Sequence, residues 1–551
     1  MSGKPRRTDR GAGPPGPPAF EGSAWGRLAG GPLLAFLAVC LFWGPFLRGR
    51  PFEGTESRRA RIAVEMLESS DYLRPTLGGE ATLTKPPLHY QLQALAAFFL
   101  GEGEGSFRVP ALLLTALLLA AVFGLLRRAG ADRVFLWGAF LLLAWHPILV
   151  RFAVSAEIDG SFAALTGLGL VLLAAWRGEE GSPLGLLGLA GLCFGAALMT
   201  KGPQVLALLL PALLPLRSRP GWRGYCLLSA TLFLPVLLWA LGLLLEGHSL
   251  GEWFLAAKRE SLGRAEGFGW AHVLTIPAYL GKVFGILLPV WLFLGRLPVP
   301  GSPAARVLLY GGIGGVCALL PFPHRPTRYL LPALLPLMAA FLLGFVESST
   351  AGGGSGAGDA RARGGGKGGG MSFQAVWFLR AGPGIPRGLW VPLALLLALG
   401  SSLSGFLAPP WLGCLPYALL LPLFVLALGG GGRSFVLSVC LAASLVVVTD
   451  IPARQALAPK ASLPAARSIA ERSGGGAVLC WGHVPGELQW VLGNRARLAE
   501  FFQGGGREEE VWLLHEDPWP EGFRGRPFET VLSGVWSLSD KDLMLERRKG
   551  R

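Results

Sequence analysis

Apolar runs dominate the chain, and they recur at lengths near those that cross a bilayer. Leu, Ala, Gly, Phe and Trp fill residues 31–47, 107–126, 133–150, 161–176, 183–200, 204–217, 225–245, 273–295, 306–320, 329–346, 389–407, 411–429 and 434–449. A helix rises about 1.5 Å per residue and the hydrocarbon layer is about 30 Å thick, so the pattern predicts about 13 transmembrane helices. Polar positions fall between the runs instead of alternating within them. The fold class this implies is an all-α polytopic membrane protein. Residues 1–30 are polar, basic and rich in Pro and Gly, and are read as a disordered cytoplasmic tail. The run after them leads into Trp43-Gly44-Pro45-Phe46-Leu47, without the small-residue site at which a signal peptide is cut, and is read as a retained span.

The runs divide the rest of the chain. Residues 31–346 form a transmembrane core with a long charged loop at 48–106 and a second at 246–272. Residues 347–388 contain AGGGSGAGDARARGGGKGGG, a flexible linker. Its GGGKGGG is no phosphate-binding loop, because Lys367 is followed by Gly368 where Ser or Thr is required. Residues 389–449 supply the last helices. Residues 450–551 are polar with apolar stretches (GAVLCW, EEVWLL, ETVLSGVWSL), predicting a small α+β soluble domain.

Charge then orients the spans. Only 15% of residues are charged, against about 25% in soluble proteins. The net charge of +15 needs no nucleic-acid partner, since Lys and Arg collect in loops that stay cytoplasmic. Lys4, Arg6, Arg7 and Arg10 put the N-terminus in the cytoplasm. Alternating from there, Arg127-Arg128, then Arg217, Arg219 and Arg223, then Arg296 and Arg306, then Arg361, Arg363 and Lys367 all fall on the cytoplasmic side. The expected location is the plasma (inner) membrane, with membrane lipids as partners and the C-terminus extracytoplasmic. Of the 7 cysteines only Cys480 lies outside the apolar runs and their edges, which argues against a disulfide framework or a cysteine zinc site.

Several charges gather at the external ends of spans. The first loop reads FEGTESRRARIAVEMLESSDYLRP, with Ile62, Val64, Met66 and Leu67 spaced for an amphipathic helix on the membrane surface and Arg58, Arg59 and Arg61 on its polar side. Glu56 opens that helix, where the dipole favours a carboxylate. In TLTKPPLHYQLQ the Pro86-Pro87 pair holds Lys85 at a turn. Asp159 follows the third span in SAEIDGSF, two residues after Glu157; Lys201 ends the fifth in LMTKGPQ; Arg325 and Arg328 follow the ninth in PFPHRPTRYLLP. Singly, each has an ordinary reading: a helix cap beside a basic patch for Glu56, a snorkelling Lys for Lys85. Together they suit transfer of a sugar from a polyprenyl phosphate. The departing phosphate is already a stable anion that needs cations, for which Arg58, Lys85, Lys201, Arg325 and Arg328 are candidates. The acceptor hydroxyl needs a base, and Glu56 or Asp159 could serve.

These segments resemble the first external loop and later motifs of the aminoarabinose transferase and protein O-mannosyltransferase (ArnT/PMT-like) group, the membrane-embedded GT-C glycosyltransferases. The matching positions are Glu56, Arg58, Ala60, Ile62, Glu65-Met66, Asp71, Pro75, Lys85-Pro86-Pro87-Leu88, Tyr90 and Arg108-Val109-Pro110, followed by the AEIDG, TKGP and PTRYLLP segments in the family's order. Three positions depart: Thr55 stands where the family has its catalytic Asp, Thr84 where it has Glu, and Arg59 where it has Tyr. The resemblance implies an inverting transfer on the external face, from a polyprenyl-phosphate sugar donor to lipid A, a protein or another glycan. Some relatives hold a divalent metal; Thr84 removes a carboxylate that could support one, so no metal ligand is assigned. A transporter would place its charges near the midplane in repeated halves, and no such repeat is seen. A non-catalytic scaffold is the remaining alternative, kept open by Thr55. One measurement checks the orientation: a reporter joined after Arg551 should be active only on the external side, and a cytoplasmic signal would break the shared face on which these charges meet.

Overall fold

The structure of the chain is a computed structural model that describes residues 31–48, 52, 55–176, 183–216, 221–253, 255, 273–295, 298–322 and 325–353, with 469, 471 and five strands between 478 and 548. Among the described residues, 6 helices are long and apolar enough to cross a membrane, or 7 if one bent pair counts as a single span; three shorter apolar helices join them. The predicted runs from 31–47 to 329–346 all fall on described helices. The runs at 389–407, 411–429 and 434–449 lie outside the described residues.

The helices are α1 (Pro32–Trp43), α2 (Glu56–Ser69), α3 (Leu88–Leu100), α4 (Val109–Arg128), α5 (Arg133–Ala144), α6 (Pro147–Ala153), α7 (Ile158–Trp176), α8 (Leu184–Lys201), α9 (Leu206–Leu213), α10 (Trp222–Leu245), α11 (Ile276–Leu294), α12 (Pro303–Ala318) and α13 (Thr327–Gly353). Their ends follow local chemistry. Asp132 caps α5 by accepting from the Val134 and Phe135 N–H groups at 3.0 and 2.9 Å, and Ser302 caps α12 through the Ala305 N–H. The run at 133–150, read as one span, is instead two helices bent by 61°. Pro147 stands at the break, where its missing N–H and its ring stop α5 from continuing. The helix at 329–346 runs on to Gly353, into the segment predicted to begin the linker.

Helix α7 is the centre of the bundle. It packs against α4, α8, α12 and α13, and 89% of its span is buried, against 17% for α10. Among the described residues, that contrast leaves α10 as the least covered of the long apolar helices. Close packing on α7 depends on one glycine in particular. A Cβ at Gly160 would strike the Phe152 carbonyl, so only glycine lets α6 turn tightly into α7. This corner carries the candidate site.

The loop predicted at 48–106 folds as a layer on one end of the bundle. Helix α2 forms where the spacing predicts and packs on α3, but of the three arginines expected on its polar side only Arg58 is exposed; Arg61 is buried against Glu65, and Arg59 turns to Tyr90, because the loop layer covers this helix on both faces. Glu65 anchors the loop between them. Its carboxylate accepts from Arg61 Nε at 3.1 Å, Thr76 Oγ1 at 2.8 Å, and the Gly78 and Gly79 N–H groups at 2.8 and 3.2 Å, which fixes the small hairpin of β1 (Thr76–Leu77) and β2 (Glu80–Ala81). The Trp239 indole of α10 donates to the Leu73 carbonyl at 3.0 Å, tying the layer to the bundle.

Further along the chain, strands β3 (Val478–Cys480), β4 (Ala496–Leu498), β5 (Trp512–Glu516), β6 (Phe528–Trp536) and β7 (Lys541–Arg548) form one mixed sheet in the order β4-β3-β5-β7-β6. β3 pairs parallel with β4 and β5, while β5–β7 and β6–β7 are antiparallel.

A buried ion pair welds the loop layer to the bundle. Arg108, just before α4, donates from Nε and Nη2 to the two Glu56 oxygens at 3.1 and 2.9 Å, and from Nη1 to the Leu47 carbonyl at 3.0 Å. Removing one partner of such a pair strands a charge and costs about 3–5 kcal/mol. Arg108→Met should therefore lower the thermal unfolding midpoint in detergent markedly, whereas Arg58→Met, on the exposed side of α2, should leave it near wild type.

Candidate active site

The site is assembled around one peptide unit in the α6–α7 corner. The Ala156 N–H donates to Glu56 at 2.6 Å. The Ala156 carbonyl accepts from Gln93 Nε2 at 3.0 Å and lies 3.0 Å from His89 Nε2. His89 Nδ1 lies 3.2 Å from the Ser161 hydroxyl. Burial, reinforced by the charge of Arg59, pushes the His89 pKa down to about 3, so the ring is neutral near pH 7. A neutral imidazole with Nε2–H donating to Ala156 leaves Nδ1 to accept from Ser161. The corner is thus held by α2 and α3 together.

Holding Ala156 aims its neighbours. The Glu157 carboxylate accepts the Thr55 N–H at 3.0 Å and the Thr55 hydroxyl at 2.9 and 2.8 Å. Thr55 is the residue before α2, and its hydroxyl reaches across to Glu157 instead of capping its own helix. Burial raises the Glu157 pKa; Arg59 and the Thr55 bond oppose this, while Asp159 and Glu56 add to it. Arg59 lies on the same side of α2. It donates to the Tyr90 hydroxyl at 2.6 Å. Burial works against its charge, but Tyr90, Glu157 and Asp159 outweigh that and raise its pKa.

In the first turn of α7, Asp159 forms a buried ion pair with Lys201, the last residue of α8. The Lys201 ammonium lies 4.3 Å from the centre of the Tyr329 ring and 5.5 Å from that of Phe162. Arg328 lies 5.6 Å from the same Tyr329 ring. Tyr329 is therefore flanked by two cations. The Nε atoms of Arg59 and Arg328 are buried and have no hydrogen-bond partner. A buried donor without a partner is costly, and at a charged cluster it suits an anionic ligand.

The sequence-predicted residues divide in this geometry. Asp159, Lys201 and Arg328 come together from three connections, joined by Thr55, Arg59 and Glu157. Lys85 is buried at the turn that opens α3, the helix that carries Tyr90. Glu56 is 1% exposed, with its carboxylate directed into Arg108 and the Ala156 N–H. Arg58 is exposed on α2. Arg325 clasps backbone: Nε and Nη2 donate to the Leu319 and Leu320 carbonyls at 3.0 and 2.6 Å, and Nη1 to Thr275 Oγ1 at 2.9 Å. Sequence reasoning missed Glu157, Arg59, Arg108 and Tyr329 as site residues. Arg108 and Tyr329 sat in quoted motifs, and AEIDG contains Glu157, but no local signal joins positions 55 and 157. For a metal, one group of ligand type meets among the described residues: Asp71, Glu246 and His248, with ligand atoms all within 4.8 Å. One Asp71 oxygen already accepts from the Leu73 and Arg74 N–H groups. None of the three contributes to the Glu157–Asp159–Lys201 cluster, so no metal is assigned there.

Comparison with known proteins bears on the same segment. Residues 50–218 match the family described as dolichyl-phosphate-mannose-protein mannosyltransferase (PMT). The chain is 29% identical over 364 residues to an undecaprenyl phosphate-alpha-4-amino-4-deoxy-L-arabinose arabinosyl transferase of Edwardsiella ictaluri, covering 60% of this chain and 61% of the relative. It is 33% identical over 309 residues to the protein of that name from Pseudomonas aeruginosa, covering 52% of this chain and 54% of the relative. The matches thus span little more than half the length of these relatives. In fold the likeness is longer. The crystal structure of ArnT from Cupriavidus metallidurans bound to undecaprenyl phosphate superposes with a TM-score of 0.63 at 15% identity, covering 93% of this chain and 97% of that one. Its apo form gives 0.61 at 16% identity. The chain therefore resembles the PMT family over residues 50–218 and shares the multi-pass fold of the ArnT crystal structures.

Proposed function

We propose that this chain is a membrane glycosyltransferase that moves a sugar, a pentose such as 4-amino-4-deoxy-L-arabinose, from a polyprenyl-phosphate donor to an acceptor hydroxyl on the external face of the plasma (inner) membrane. Lipid A is the favoured acceptor, since the relatives named above are arabinosyl transferases with an undecaprenyl-phosphate donor. The observation that carries the reading is the convergence of Asp159, Lys201, Arg328, Arg59 and Glu157 from separate connections at one end of the bundle. Charges at membrane depth are expensive, and structural needs alone would be met by apolar packing. A transporter reading gains nothing from charges gathered at helix ends.

In this reading the lipid tail stays among the helices and the phosphate enters the cationic cluster. Lys201 and Arg328, on either side of Tyr329, and Arg59, with its unpartnered Nε, stabilise the departing phosphate as the sugar–phosphate bond breaks. Lys85 approaches from the α3 turn. Asp159 keeps Lys201 charged and in place. Glu56, whose two oxygens already serve Arg108 and Ala156, anchors the loop and is not free to collect a proton. Arg325, two residues before Thr327, ties the start of α13 to the Leu319 and Leu320 carbonyls, and Arg58 stays at the surface.

The test is transfer of radiolabelled sugar from undecaprenyl-phosphate donors to lipid A by the purified chain. Activity with none of a panel of polyprenyl-phosphate sugars, on any acceptor, would refute the enzyme reading. Lys85→Ala and Arg328→Ala should each lower kcat/KM by about ten- to a hundredfold, the scale of a lost charge-assisted hydrogen bond of about 1.5–3 kcal/mol. Lys85→Arg should retain more activity than Lys85→Ala; a fully active, stably folded Lys85→Ala would reduce Lys85 to a membrane anchor. Asp159→Asn and Lys201→Met should each destabilise the protein, and the double variant should cost less than the sum of the two, because each single change leaves one buried charge uncompensated.

A further inference from the structure

The ArnT/PMT-like pattern that the sequence resembles implies an Asp at the position of Thr55, and a threonine hydroxyl cannot accept a proton at neutral pH. The chain nonetheless has a carboxylate at that place. Glu157, arriving from the α6–α7 corner, sets both its oxygens against the Thr55 hydroxyl at 2.9 and 2.8 Å, and one of them against the Thr55 N–H at 3.0 Å. We propose that Glu157 is the general base of the transfer, supplying from the α7 side the carboxylate that the family supplies from the start of α2, with Thr55 as its positioning residue. This rests on the glycosyltransferase reading above.

Three features support the exchange. Geometry comes first: the longer side chain of Glu brings its oxygens to the hydroxyl that replaces the family's carboxylate, and the Ala156 clamp fixes the peptide from which it projects. The second is the choice among carboxylates. Glu56 is bound bidentately to Arg108 and Asp159 is paired with Lys201, whereas Glu157 accepts from the hydroxyl and N–H of Thr55, neutral donors, and feels the Arg59 charge only through space. The third is environment. Glu157 is 8% exposed, and burial raises its proton affinity above that of an ordinary carboxylate, which makes it a better proton acceptor near neutral pH.

The step balances simply. The acceptor oxygen forms a bond to the anomeric carbon from the face opposite the phosphate. The carbon–oxygen bond to the phosphate breaks, and its electron pair leaves with the polyprenyl phosphate. The proton of the acceptor hydroxyl passes to a Glu157 oxygen. No co-reactant is required.

The test moves the carboxylate. Four forms of the full chain are compared with undecaprenyl-phosphate 4-amino-4-deoxy-L-arabinose as donor and lipid A as acceptor: wild type, Glu157→Gln, Thr55→Asp, and Thr55→Asp with Glu157→Gln. The amide oxygen introduced by Glu157→Gln can still accept the Thr55 bonds, so the fold should survive, and undecaprenyl phosphate binding and the unfolding midpoint are measured on each form. Glu157→Gln should lower kcat by about 10²–10⁴-fold, the usual scale of general-base loss, with phosphate binding retained. Adding Thr55→Asp to Glu157→Gln should recover at least about tenfold of that loss, a recovery that a structural role for Glu157 would not produce. Wild-type activity should fall with acid along a limb above the ordinary carboxylate value of 4.5, and this limb should be altered in the double variant. If wild type transfers sugar and a folded Glu157→Gln transfers it equally well, the base is overturned while the function stands. If Glu157→Gln folds and is inactive but Thr55→Asp recovers nothing, the exchange between positions 55 and 157 is overturned. If wild type transfers from no lipid-linked donor, the function on which the base rests fails first.

Discussion

The backbone of Ala156 is held from both ends of its polar groups, and the rest of the site depends on that grip. Glu56 takes its N–H, and Gln93 and His89 converge on its carbonyl. Each of these side chains comes from the layer formed by the first loop, while Ala156 belongs to the bundle. The next residue points back to the layer at Thr55, and two residues further Asp159 points into the bundle at Lys201. A peptide released at this point would loosen the stretch from which both carboxylates project, leaving Glu157 to Thr55 alone and Asp159 to Lys201. The same logic explains why the loop layer is rigid despite its many charges. Glu65 is saturated by four donors, and Glu56 by Arg108 and Ala156.

Burial of so many charged groups near a membrane is tolerable only because nearly all are matched. Arg108 with Glu56, Arg61 with Glu65 and Glu68, and Lys201 with Asp159 are ion pairs in which at least one partner is buried. Desolvation makes such pairs poor sources of net stability. They act instead as specific fasteners, since any other arrangement of the layer would leave an unpaired charge in a low-dielectric setting. Against this background the unpartnered Nε atoms of Arg59 and Arg328 stand apart. Both lie next to aromatic rings, Arg59 5.8 Å from the centre of Tyr90 and hydrogen-bonded to its hydroxyl, and Arg328 5.6 Å from the centre of Tyr329.

Much of the architecture was legible in the chain, and the reasons are physical. Apolar runs declare helices because every backbone polar group in hydrocarbon must be satisfied within its own segment. Amphipathic spacing declared α2, and Pro86-Pro87 marked the start of α3. Pro147 broke a run that hydropathy alone read as continuous, because apolarity reports solvent preference and says little about chain direction. The candidate site was legible as a set of residue types at span ends, not as a set of contacts. Asp159, Lys201 and Arg328 could be grouped by topology. Yet nothing local distinguishes Glu56, an anchor, from Glu157, which meets Thr55 across 102 residues of sequence. Arg325 and Arg328 are three residues apart in one proline-rich turn, and only the fold separates the one that clasps carbonyls from the one beside Tyr329. The Arg59 departure from the family's Tyr was visible, but its meaning came only with Tyr90 and Glu157 as neighbours.

The placement of Asp159 and Lys201 on their helices has a consequence for polarity. Asp159 lies in the first turn of α7, and Lys201 is the last residue of α8. The peptide dipoles of a helix sum to a partial positive charge at its beginning and a partial negative charge at its end. Each ion therefore sits at the helix terminus whose field favours it, and the two helices bring those termini side by side. The pair is a directed couple and not merely two opposite charges in contact. Exchanging the two side chains would preserve the contact but set each charge against its own helix, at about 0.3–1 kcal/mol per end and up to about 2 kcal/mol where partly buried. The bundle thus carries a built-in electrical sense at this end, which holds a cation at the end of α8, facing the Phe162 ring of α7 and the Tyr329 ring of α13.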